Sequence, residues 1–451
     1  MGMLKVLRSD ESGFCYDAEN QPFSGNFYYS SPCYDLDEAK ESHEILGFGA
    51  AMTDATGYLL SRLSPEKRSE LLNDFLSPEK LGLSMIRLNA GSSDYATTAY
   101  NYDDVPGDYE LKHFSVAHDE KWIIPCLQES LKIRPDLYFF SAPWSPPGWM
   151  KTSGSMCGGY MRAKFLPVYA DYLVKYLQEY QKQGIDIQAL SVQNEPETDQ
   201  GGTMPQSLLH PDFEMELVGH LMPSRLAAAG LKTKLWLYDH NYGGWQRVLY
   251  MLSDPEVRKY TDAVAFHPYS GKPEMMNTIS RQYPGMRFQV TESAPWLRND
   301  TPQSSILWWT RAITGALNNG CSSFTGWNFV LDENGMPNLG KFDAAGMVEI
   351  HSRTQEITPS VQYHAFRHYA PFIRRGAKLL SAPLNFPADP ELNALIVRNP
   401  DNSIVIVASN SGDGYSPKSL QFKYQGKYLK LLLPKKSVIT LKFDKDLSQG
   451  E

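Results

Sequence analysis

Cysteine is scarce in this chain of 451 residues, and its positions are scattered. The five cysteines are Cys15, Cys33, Cys126, Cys157 and Cys321. They form no CxxC pair and no cluster with histidine at the spacing of a zinc site. The sequence therefore predicts neither a disulfide framework nor a structural metal, and we expect the fold to be held by its core.

Excess positive charge and long apolar runs are also lacking. The formal net charge is −8, and no stripe of Lys and Arg is present, so we expect no nucleic-acid partner. No run approaches the ~18 apolar residues of a membrane span, and the first residues lack the apolar core of a secretory signal. Without such a signal we expect a cytoplasmic protein, unless a specialised secretion system of the type III kind exports it.

Hydrophobic residues, by contrast, make up 42% of the chain and charged residues 21%, which is typical of a globular protein with a sizeable core. Aromatic residues reach 12%, including 26 tyrosines. That content suits a protein that stacks rings on sugars, although large cores use aromatic residues too.

Short apolar runs alternate with helix-like segments over residues 44–370. The strand candidates are 44–52, 83–91, 137–144, 187–196, 234–240, 263–269, 287–293 and 322–330. Among the helices between them, 64–76 begins with the capping residue Ser64 and Pro65, and 169–184 ends at Gly184. Eight such units predict an α/β fold, a (β/α)8 barrel. A doubly wound sheet is the alternative, but no Gly-rich phosphate turn follows the first strand.

The pattern changes in the last part of the chain, at residues 371–451. Six short runs there are alternating or wholly apolar and are separated by Pro, Asn, Gly and Asp, which is typical of an antiparallel β-sandwich. Residues 1–43 carry no helix signal, and we expect them to add strands to the same domain.

Polar and indole side chains follow seven of the eight predicted barrel strands, at the rim where barrel enzymes place their chemistry. They are Arg87, Asp94, Trp144, Asn194, Glu195, Asp239, His267, Tyr269, Glu292 and Trp327. Each has an ordinary structural alternative, because a strand-end Trp is more often core and a lone Glu is often an ion-pair partner. Their occurrence together predicts a functional site.

Two of these rim residues are carboxylates from the fourth and seventh strands, Glu195 in QNEP and Glu292 in TES. Retaining glycoside cleavage needs two carboxyl groups about 5–5.5 Å apart, one a nucleophile and one an acid that later acts as a base. Arg87 and Tyr269 are placed to favour the charged form of Glu292. Asn194 is placed to bond a sugar hydroxyl beside the reacting carbon.

Several longer motifs resemble those of glycoside hydrolase family 30 of clan A, and within it the glucosylceramidases. They are GFGAAMTDA, IRLNAGSSDY, SAPWSPPGWMKT, QNEP, HPY, TES and GWNFVLDENGMPN. The resemblance implies a retaining hydrolase without metal or other cofactor, with Glu195 as acid/base and Glu292 as nucleophile. It also implies a set of residues around the glucose: Asp94, Trp144, Asn194 and Trp327 would bind its hydroxyls, with Arg87, His267 and Tyr269 at the floor.

The chain departs from that family pattern on the leaving-group side. The fifth strand ends in Asp239-His240-Asn241, the sixth reads His-Pro-Tyr, and Ser293-Ala294-Pro295-Trp296 follows the proposed nucleophile. We expect glucosylceramide as substrate, and with a glycolipid we expect peripheral contact with a membrane. A β-1,6-glucan, a β-xyloside and xylan remain alternatives. The oligomeric state is not predicted.

Two further hypotheses use the same residues differently. A metal-dependent barrel enzyme could take Asp239, His267 and Glu292 as ligands, but it would leave Glu195 and the tryptophans without a role. A non-catalytic carbohydrate-binding protein would need neither carboxylate, and both are present. Hydrolysis of a β-glucoside therefore accounts for more of the pattern than either alternative.

Overall fold

The computed structural model describes residues 5–17, 23–29, 31–298, 300–385 and 389–444. Its strands are, in chain order, β1 (Lys5–Asp10), β2 (Gly13–Asp17), β3 (Cys33–Asp35), β4 (Lys40–Glu44), β5 (Gly47–Ala51), β6 (Met85–Asn89), β7 (Tyr138–Ala142), β8 (Ile187–Ser191), β9 (Lys234–Asn241), β10 (Thr261–His267), β11 (Arg287–Val290), β12 (Cys321–Asn328), β13 (Val330–Leu331), β14 (Val348–Ile350), β15 (Ile357–Pro359), β16 (Lys378–Ser381), β17 (Leu392–Arg398), β18 (Ile404–Asn410), β19 (Lys418–Tyr424), β20 (Lys427–Leu433) and β21 (Ser437–Phe443).

The α-helices of the same residues are α1 (Asp54–Ser61), α2 (Pro65–Leu76), α3 (Ile123–Ile133), α4 (Leu166–Lys182), α5 (Pro211–Met215), α6 (Met222–Ala228), α7 (Trp245–Leu252), α8 (Pro255–Tyr260), α9 (Met276–Gln282), α10 (Ile306–Asn318) and α11 (Val361–Phe366). Within the described ranges, none of these helices combines the length and the apolar character that crossing a bilayer requires.

Strands β5–β12 close into a parallel barrel, which confirms the predicted fold class. Each of these eight strands overlaps one of the predicted strand segments. Most of their residues are buried, as is required of parallel strands that are covered by helices. The predicted start of α2 and the predicted end of α4 are also found. The side chain of Ser64 accepts a hydrogen bond from the Lys67 amide at the start of α2. Helix α4 ends just before Gly184, whose φ is +79°.

Two antiparallel-rich sheets form the other domain. One has the order β2-β1-β21-β18-β17-β16-β4 and the other β20-β19-β3. Alternate residues such as Ile404, Ile406, Phe422 and Leu429 meet in one apolar core. The chain therefore contains the predicted sandwich, to which the N-terminal segment supplies β1–β4.

By internal contacts the chain divides into two compact units. One comprises Met1–Phe48, Asp300–Ser323 and Val361–Glu451, and the other Gly49–Asn299 and Phe324–Ser360. This division differs from the predicted domain boundaries at residues 43 and 370. The reason is that α10 packs against α11 and β17, so residues 300–323 group with the sandwich.

A buried cluster of tyrosines supports the long loop between β6 and α3. The carboxylate of Asp119 is fully buried and accepts hydrogen bonds from the hydroxyls of Tyr100, Tyr102 and Tyr180 at 2.7, 2.6 and 2.6 Å. Since the loop and α4 both contribute donors, this network fixes the loop against the helix.

Candidate active site

The two rim carboxylates lie close together at the C-terminal ends of the barrel strands. One carboxylate oxygen of Glu195 and one of Glu292 are within 4.8 Å of each other and of a ring nitrogen of His267. Glu195 follows β8 in a left-handed conformation, with φ +46°, and its amide donates to the Asp239 carbonyl at 3.0 Å. This left-handed conformation is uncommon for a residue other than glycine, and here it sets the direction of the Glu195 side chain.

A fully buried arginine lies beneath this pair. Arg87 donates from Nη1 to Glu292, and from Nη2 to Asn194 at 2.7 Å and to Asp239 at 2.9 Å. Burial of its charge is offset by these two carboxylates, so the pKa of Arg87 is raised and it is cationic at every relevant pH. One side chain thereby positions residues from three different strands.

Glu292 has a second donor, the Tyr269 hydroxyl at 2.9 Å. Burial raises the pKa of Glu292 above its ordinary value, the charges of His267 and Arg87 oppose that rise, and the charge of Glu195 adds to it. Both groups that donate directly to Glu292 hold protons tightly, because arginine stays charged and the pKa of Tyr269 is raised well above its usual value.

Glu195 has a different kind of partner, a titratable one. His267 is fully buried, with Nδ1 3.0 Å from Glu195 Oε1 and Nε2 3.1 Å from Asp239 Oδ1. Burial opposes the imidazolium, but the carboxylates around it raise the pKa of His267 to about 9. Burial also raises the pKa of Glu195, while the hydrogen bond and charge of His267 outweigh it and hold that pKa below its ordinary value.

A β-bulge directs Asp239 into the barrel. In the pairing of β9 with β10, Tyr238 faces Ala265 and His240 faces Phe266, so Asp239 is an extra residue. Both Tyr238 and Asp239 have positive φ, +82° and +58°. Bulges of this kind redirect side chains near active sites. The Thr291 hydroxyl also donates to Asp239, at 2.5 Å.

Above the carboxylates is a cavity of about 270 Å³. It is lined by Asp94, Tyr95, Trp144, Asn194, Glu195, Thr198, Gln200, Met204, His240, Asn241, Tyr269, Glu292, Ala294, Trp296, Trp327, Phe342 and Ala344. This volume is slightly below that of typical small-ligand pockets, about 300–1,000 Å³, and suits one sugar ring with part of a leaving group.

The cavity has aromatic walls and a buried carboxyl oxygen without a hydrogen-bond partner among the described residues. Trp144 and Trp327 stack on each other, with ring centroids 4.9 Å apart, and Arg87 lies 4.9 and 5.2 Å from the two rings. Asp94 Oδ1 is buried and has no hydrogen-bond partner among the described residues. Burial and the charges of Glu292 and Glu195 raise the pKa of Asp94 well above its ordinary value. Because an unpaired buried oxygen is unfavourable, this carboxyl group is suited to form a hydrogen bond with a hydroxyl group of a ligand.

The lining of the cavity includes both polar and apolar side chains. Among the polar ones are Thr198, Asn241 and His240, and Nε2 of His240 is 2.9 Å from Thr198 Oγ1 and 3.9 Å from Glu195 Oε1. Met204, Trp296 and Phe342 are among the apolar ones. The sequence identified His240, Asn241 and Trp296 as departures, but it missed Thr198, Gln200, Met204 and Phe342. These lie in loops, where no strand-end rule applies.

A larger open cleft, of about 850 Å³, lies at the opposite ends of β9–β11. Among the described residues that line it, the one carboxylate is Asp262, which is paired with Arg287. The cleft has no second carboxylate for acid–base work, so the chemistry belongs to the rim.

Not every predicted rim residue reaches the cavity. Arg87, His267 and Asp239 have almost no exposed surface and lie behind the cavity, where they contact its carboxylates and not its interior. Seven predicted site residues do line it: Asp94, Trp144, Asn194, Glu195, Tyr269, Glu292 and Trp327.

Glu195, His267 and Glu292 are also near enough to be considered as metal ligands. A ligating imidazole must offer a nitrogen lone pair, but both ring nitrogens of His267 are directed at carboxylates, and these keep the ring cationic. Arg87 adds another positive charge next to Glu292. This donor set does not fit a divalent cation, and the same argument weakens the alternative set of Asp239, His267 and Glu292.

Comparison with known proteins identifies the family. The Glycosyl hydrolase family 30 TIM-barrel domain matches residues 45–373. The chain belongs to this family, and it is a glycoside hydrolase. One relative, the endo-1,6-β-D-glucanase of Neurospora crassa, is 31% identical over 351 residues, which are 75% of this chain and 72% of that protein.

Other relatives have different names. The putative glucosylceramidase 2 of Caenorhabditis elegans is 28% identical over 430 residues, 90% of this chain and 83% of that protein. The crystal structure of SrfJ from Salmonella typhimurium superposes with a TM-score of 0.91 at 24% identity, covering 98% of this chain and 100% of that one. At this identity the likeness to SrfJ shows the fold alone. Family membership therefore fixes the reaction class and leaves the substrate open.

Proposed function

We propose that this family 30 protein hydrolyses a terminal β-D-glucosidic bond with net retention. The observation that carries the proposal is the separation of the two carboxylates, whose nearest oxygens lie within 4.8 Å. Retaining enzymes hold these groups about 5–5.5 Å apart, whereas inverting enzymes leave about 6.5–9.5 Å for a water molecule. Glu292 attacks the anomeric carbon and Glu195 protonates the leaving oxygen. Glu195 then deprotonates the water that releases glucose.

The partners of the two carboxylates support this division of roles. Arg87 and Tyr269 donate to Glu292, and neither gives up a proton near neutral pH, so Glu292 remains available as an anion. His267, the partner of Glu195, can lose a proton. Although burial raises the pKa of Glu292, the group with a transferable proton lies beside Glu195, and we therefore assign Glu195 as the acid/base.

For the leaving group we propose ceramide, as in a glucosylceramide. The polar lining residues Thr198, His240 and Asn241 suit the amide and hydroxyl groups next to the glycosidic bond. The apolar lining residues Met204, Trp296 and Phe342 suit the hydrocarbon part of the lipid. A lipid substrate would require peripheral contact with a membrane surface.

A β-1,6-glucan is the second candidate. It is supported by the Neurospora crassa relative, which is named for that activity, and by Trp296, which could stack on a second sugar ring. The small cavity favours removal of terminal glucose over cleavage inside a chain.

Trapping the intermediate tests the roles directly. A 2-deoxy-2-fluoro-β-glucoside with an activated leaving group should label Glu292, as detected by peptide mass spectrometry. Glu195→Ala should keep activity on activated aryl glucosides and be accelerated by azide, which replaces the water that the base would activate. Glu197→Gln is the matched control, because its carboxylate is outside the cavity and 41% exposed. Label on Glu195, or an anomer of inverted configuration as first product, would contradict the mechanism.

A substrate panel ranks the leaving groups. Glucosylceramide in detergent, gentiobiose, β-1,6-glucan and an aryl β-xyloside are compared by kcat/KM against one aryl β-glucoside. A preference of tenfold or more for gentiobiose over glucosylceramide would replace ceramide with a sugar. Binding of the aryl glucoside without turnover would instead support the non-catalytic alternative.

A further inference from the structure

The surroundings of Glu195 favour a protonation state that is opposite to the one an acid needs. Glu195 must carry a proton to give to the leaving oxygen, yet the cationic group beside it favours its ionised form. The nearest donor is Nδ1 of His267, at 3.0 Å, and the other ring nitrogen is anchored by Asp239. Glu195, His267 and Asp239 thus form a continuous hydrogen-bonded chain.

We propose that His267 and Asp239 are positioning residues that store the catalytic proton beside Glu195 and return it during each turnover. This inference rests on the proposed function of Glu195 as acid/base. It goes beyond that function because it assigns the proton source to a residue without access to the substrate. His267 has no exposed surface and does not line the cavity.

The proton movements balance over one cycle. In the resting site His267 carries protons on both nitrogens and Glu195 is ionised. As the glycosidic bond breaks, Glu195 gives a proton to the leaving oxygen, and the Nδ1 proton of His267 passes to Glu195, which leaves neutral His267. When water attacks the glycosyl–Glu292 ester, Glu195 takes a proton from the water and His267 regains its Nδ1 proton. The Glu292–carbon bond breaks, and its electron pair restores the carboxylate.

Titratable groups from several strands face His267, and the carboxylates among them make this storage possible. Glu195 follows β8, Asp239 and His240 belong to β9, and Glu292 follows β11. Tyr269 lies edge-on to the imidazole, with the ring centroids 5.9 Å apart. The carboxylates favour the imidazolium and outweigh burial, which raises the pKa of His267 to about 9.

Asp239 is fixed in turn. It accepts from Arg87 Nη2 at 2.9 Å and from Thr291 Oγ1 at 2.5 Å, and the bulge in β9 aims it at the imidazole. These bonds favour its anion, so its pKa is far below the ordinary value. A carboxylate that stays ionised keeps His267 in one orientation and one protonation state, as in other carboxylate–histidine pairs.

The pH profile of kcat/KM tests the proposal, because a merely structural histidine would not move it. In the native protein the basic limb should report loss of the stored proton, near pH 9. In His267→Gln, Glu195 must hold the proton alone, and the basic limb should fall by at least about one pH unit. The loss at pH 8 should be at least about tenfold greater for an alkyl glucoside than for an activated aryl glucoside, since only the former needs the acid.

Two further variants test whether the shift of the basic limb is specific to His267. His240→Gln is the matched control, because His240 lies 3.9 Å from the same Glu195 oxygen and makes its hydrogen bond to Thr198. Its basic limb should stay in place, whatever happens to KM. Asp239→Asn should shift the basic limb in the same direction as His267→Gln, since His267 then loses one of the charges that stabilise the imidazolium.

A spectroscopic measurement covers the case in which His267→Gln does not fold. In ¹⁵N-histidine-labelled native protein, one imidazole should keep both ring protons to about pH 9, and Glu195→Gln should lower the midpoint of that resonance. If every imidazole has lost a ring proton by pH 8, or the basic limb of His267→Gln stays within about 0.3 pH units of the native value, the proposal is wrong. Either result leaves the trapping experiment on Glu292 untouched, so the two proposals fail separately.

Discussion

Two groups of buried carboxylates in the barrel unit differ in what surrounds them. Asp119 accepts three tyrosine hydroxyls and no side chain with a positive charge donates to it within the described residues. Glu195 and Glu292 are bonded to an imidazolium and a guanidinium, and they face a cavity. Asp119 therefore has only neutral donors among the described residues and no exposed surface, whereas Glu195 and Glu292 have charged donors and reach a cavity.

This difference distinguishes a structural role for Asp119 from the catalytic role proposed for the rim carboxylates. Burial raises the pKa of Asp119, three neutral donors oppose that rise, and the residue has no exposed surface. At the rim, His267 and Arg87 are hydrogen-bonded to Glu195 and Glu292, and one oxygen of Asp94 has no hydrogen-bond partner among the described residues. Buried charge therefore indicates function where it is combined with an unsatisfied acceptor and with space.

The largest expected effect is on turnover at the rim. Glu292→Gln should lower kcat on every β-glucoside by at least about 10⁴-fold, because an amide cannot form the glycosyl ester. The decrease is measured with an aryl glucoside and with the fluoro-sugar label. Glu197→Gln should stay within about twofold of the native protein. Residual turnover above 1% of native in Glu292→Gln would mean that this carboxylate is not the nucleophile.

A large effect on stability is expected from Arg87→Met. Removal of this charge leaves Asp239 and Glu292 buried without their common partner, which should cost about 3–5 kcal/mol of unfolding free energy. Urea denaturation measures it. The control is Arg68→Met, whose ion pair with Glu129 is about a fifth to a quarter exposed, so that its loss should cost no more than about 1 kcal/mol. Equal costs for the two variants would show that the buried network adds no stability.

The raised pKa of His267 predicts a pH-dependent contribution to stability. A group whose folded pKa is about 9 and whose unfolded pKa is about 6.5 stabilises the protein fully below pH 6.5, and this contribution is lost as the pH rises through 9. The unfolding free energy of the native protein minus that of His267→Gln should therefore fall by about 3 kcal/mol between pH 6 and 9.5.

The difference between two proteins is needed because another group titrates in the same range. Burial lowers the pKa of Lys151 to about 7, so its contribution has the opposite sign and improves as the pH rises above 7. Lys151 is present in both proteins and cancels in the subtraction. A flat difference curve would mean that His267 is not charged in the folded state.

The smallest effects belong to the tyrosine cluster. Asp119→Asn replaces an acceptor oxygen with a donor and should lower the unfolding free energy by about 2 kcal/mol, while Tyr180→Phe removes one donor and should cost about 1 kcal/mol. The kcat of folded protein should change less than twofold in both variants. If either variant lowered kcat tenfold at unchanged stability, the tyrosine cluster would have more than a structural role.

Much of the barrel could be predicted because its strands are short apolar runs that end in a polar residue. Asn194, Glu195 and Glu292 are recognisable in this way, since the C-terminal ends of parallel strands meet at one rim. The tyrosines show the limit of composition. Their number suits sugar stacking, but Tyr169, Tyr172, Tyr176 and Tyr180 lie at helical spacing on α4 and are fully buried in the core.

Loop positions and backbone irregularities could not be predicted. The extra residue in β9 that turns Asp239 inward depends on pairing with β10, and nothing in KLWLYDH indicates a bulge. Thr198, Met204 and Phe342 come from loops of different length, and Thr291 is an inconspicuous strand-end residue until its hydroxyl is seen to contact Asp239. Each depends on contacts between segments that are distant in the chain.

By itself the sequence determined the barrel, the sandwich and the two carboxylates, because hydrophobic period and strand-end chemistry are local properties of the chain. Only the tertiary structure decided that Glu195 has a proton-bearing partner, that Glu292 has two partners that keep their protons, and that Arg87 and His267 lie behind the cavity. The reason is that the protonation of a buried group depends on the charges within a few ångströms of it, and these come from strands far apart in sequence.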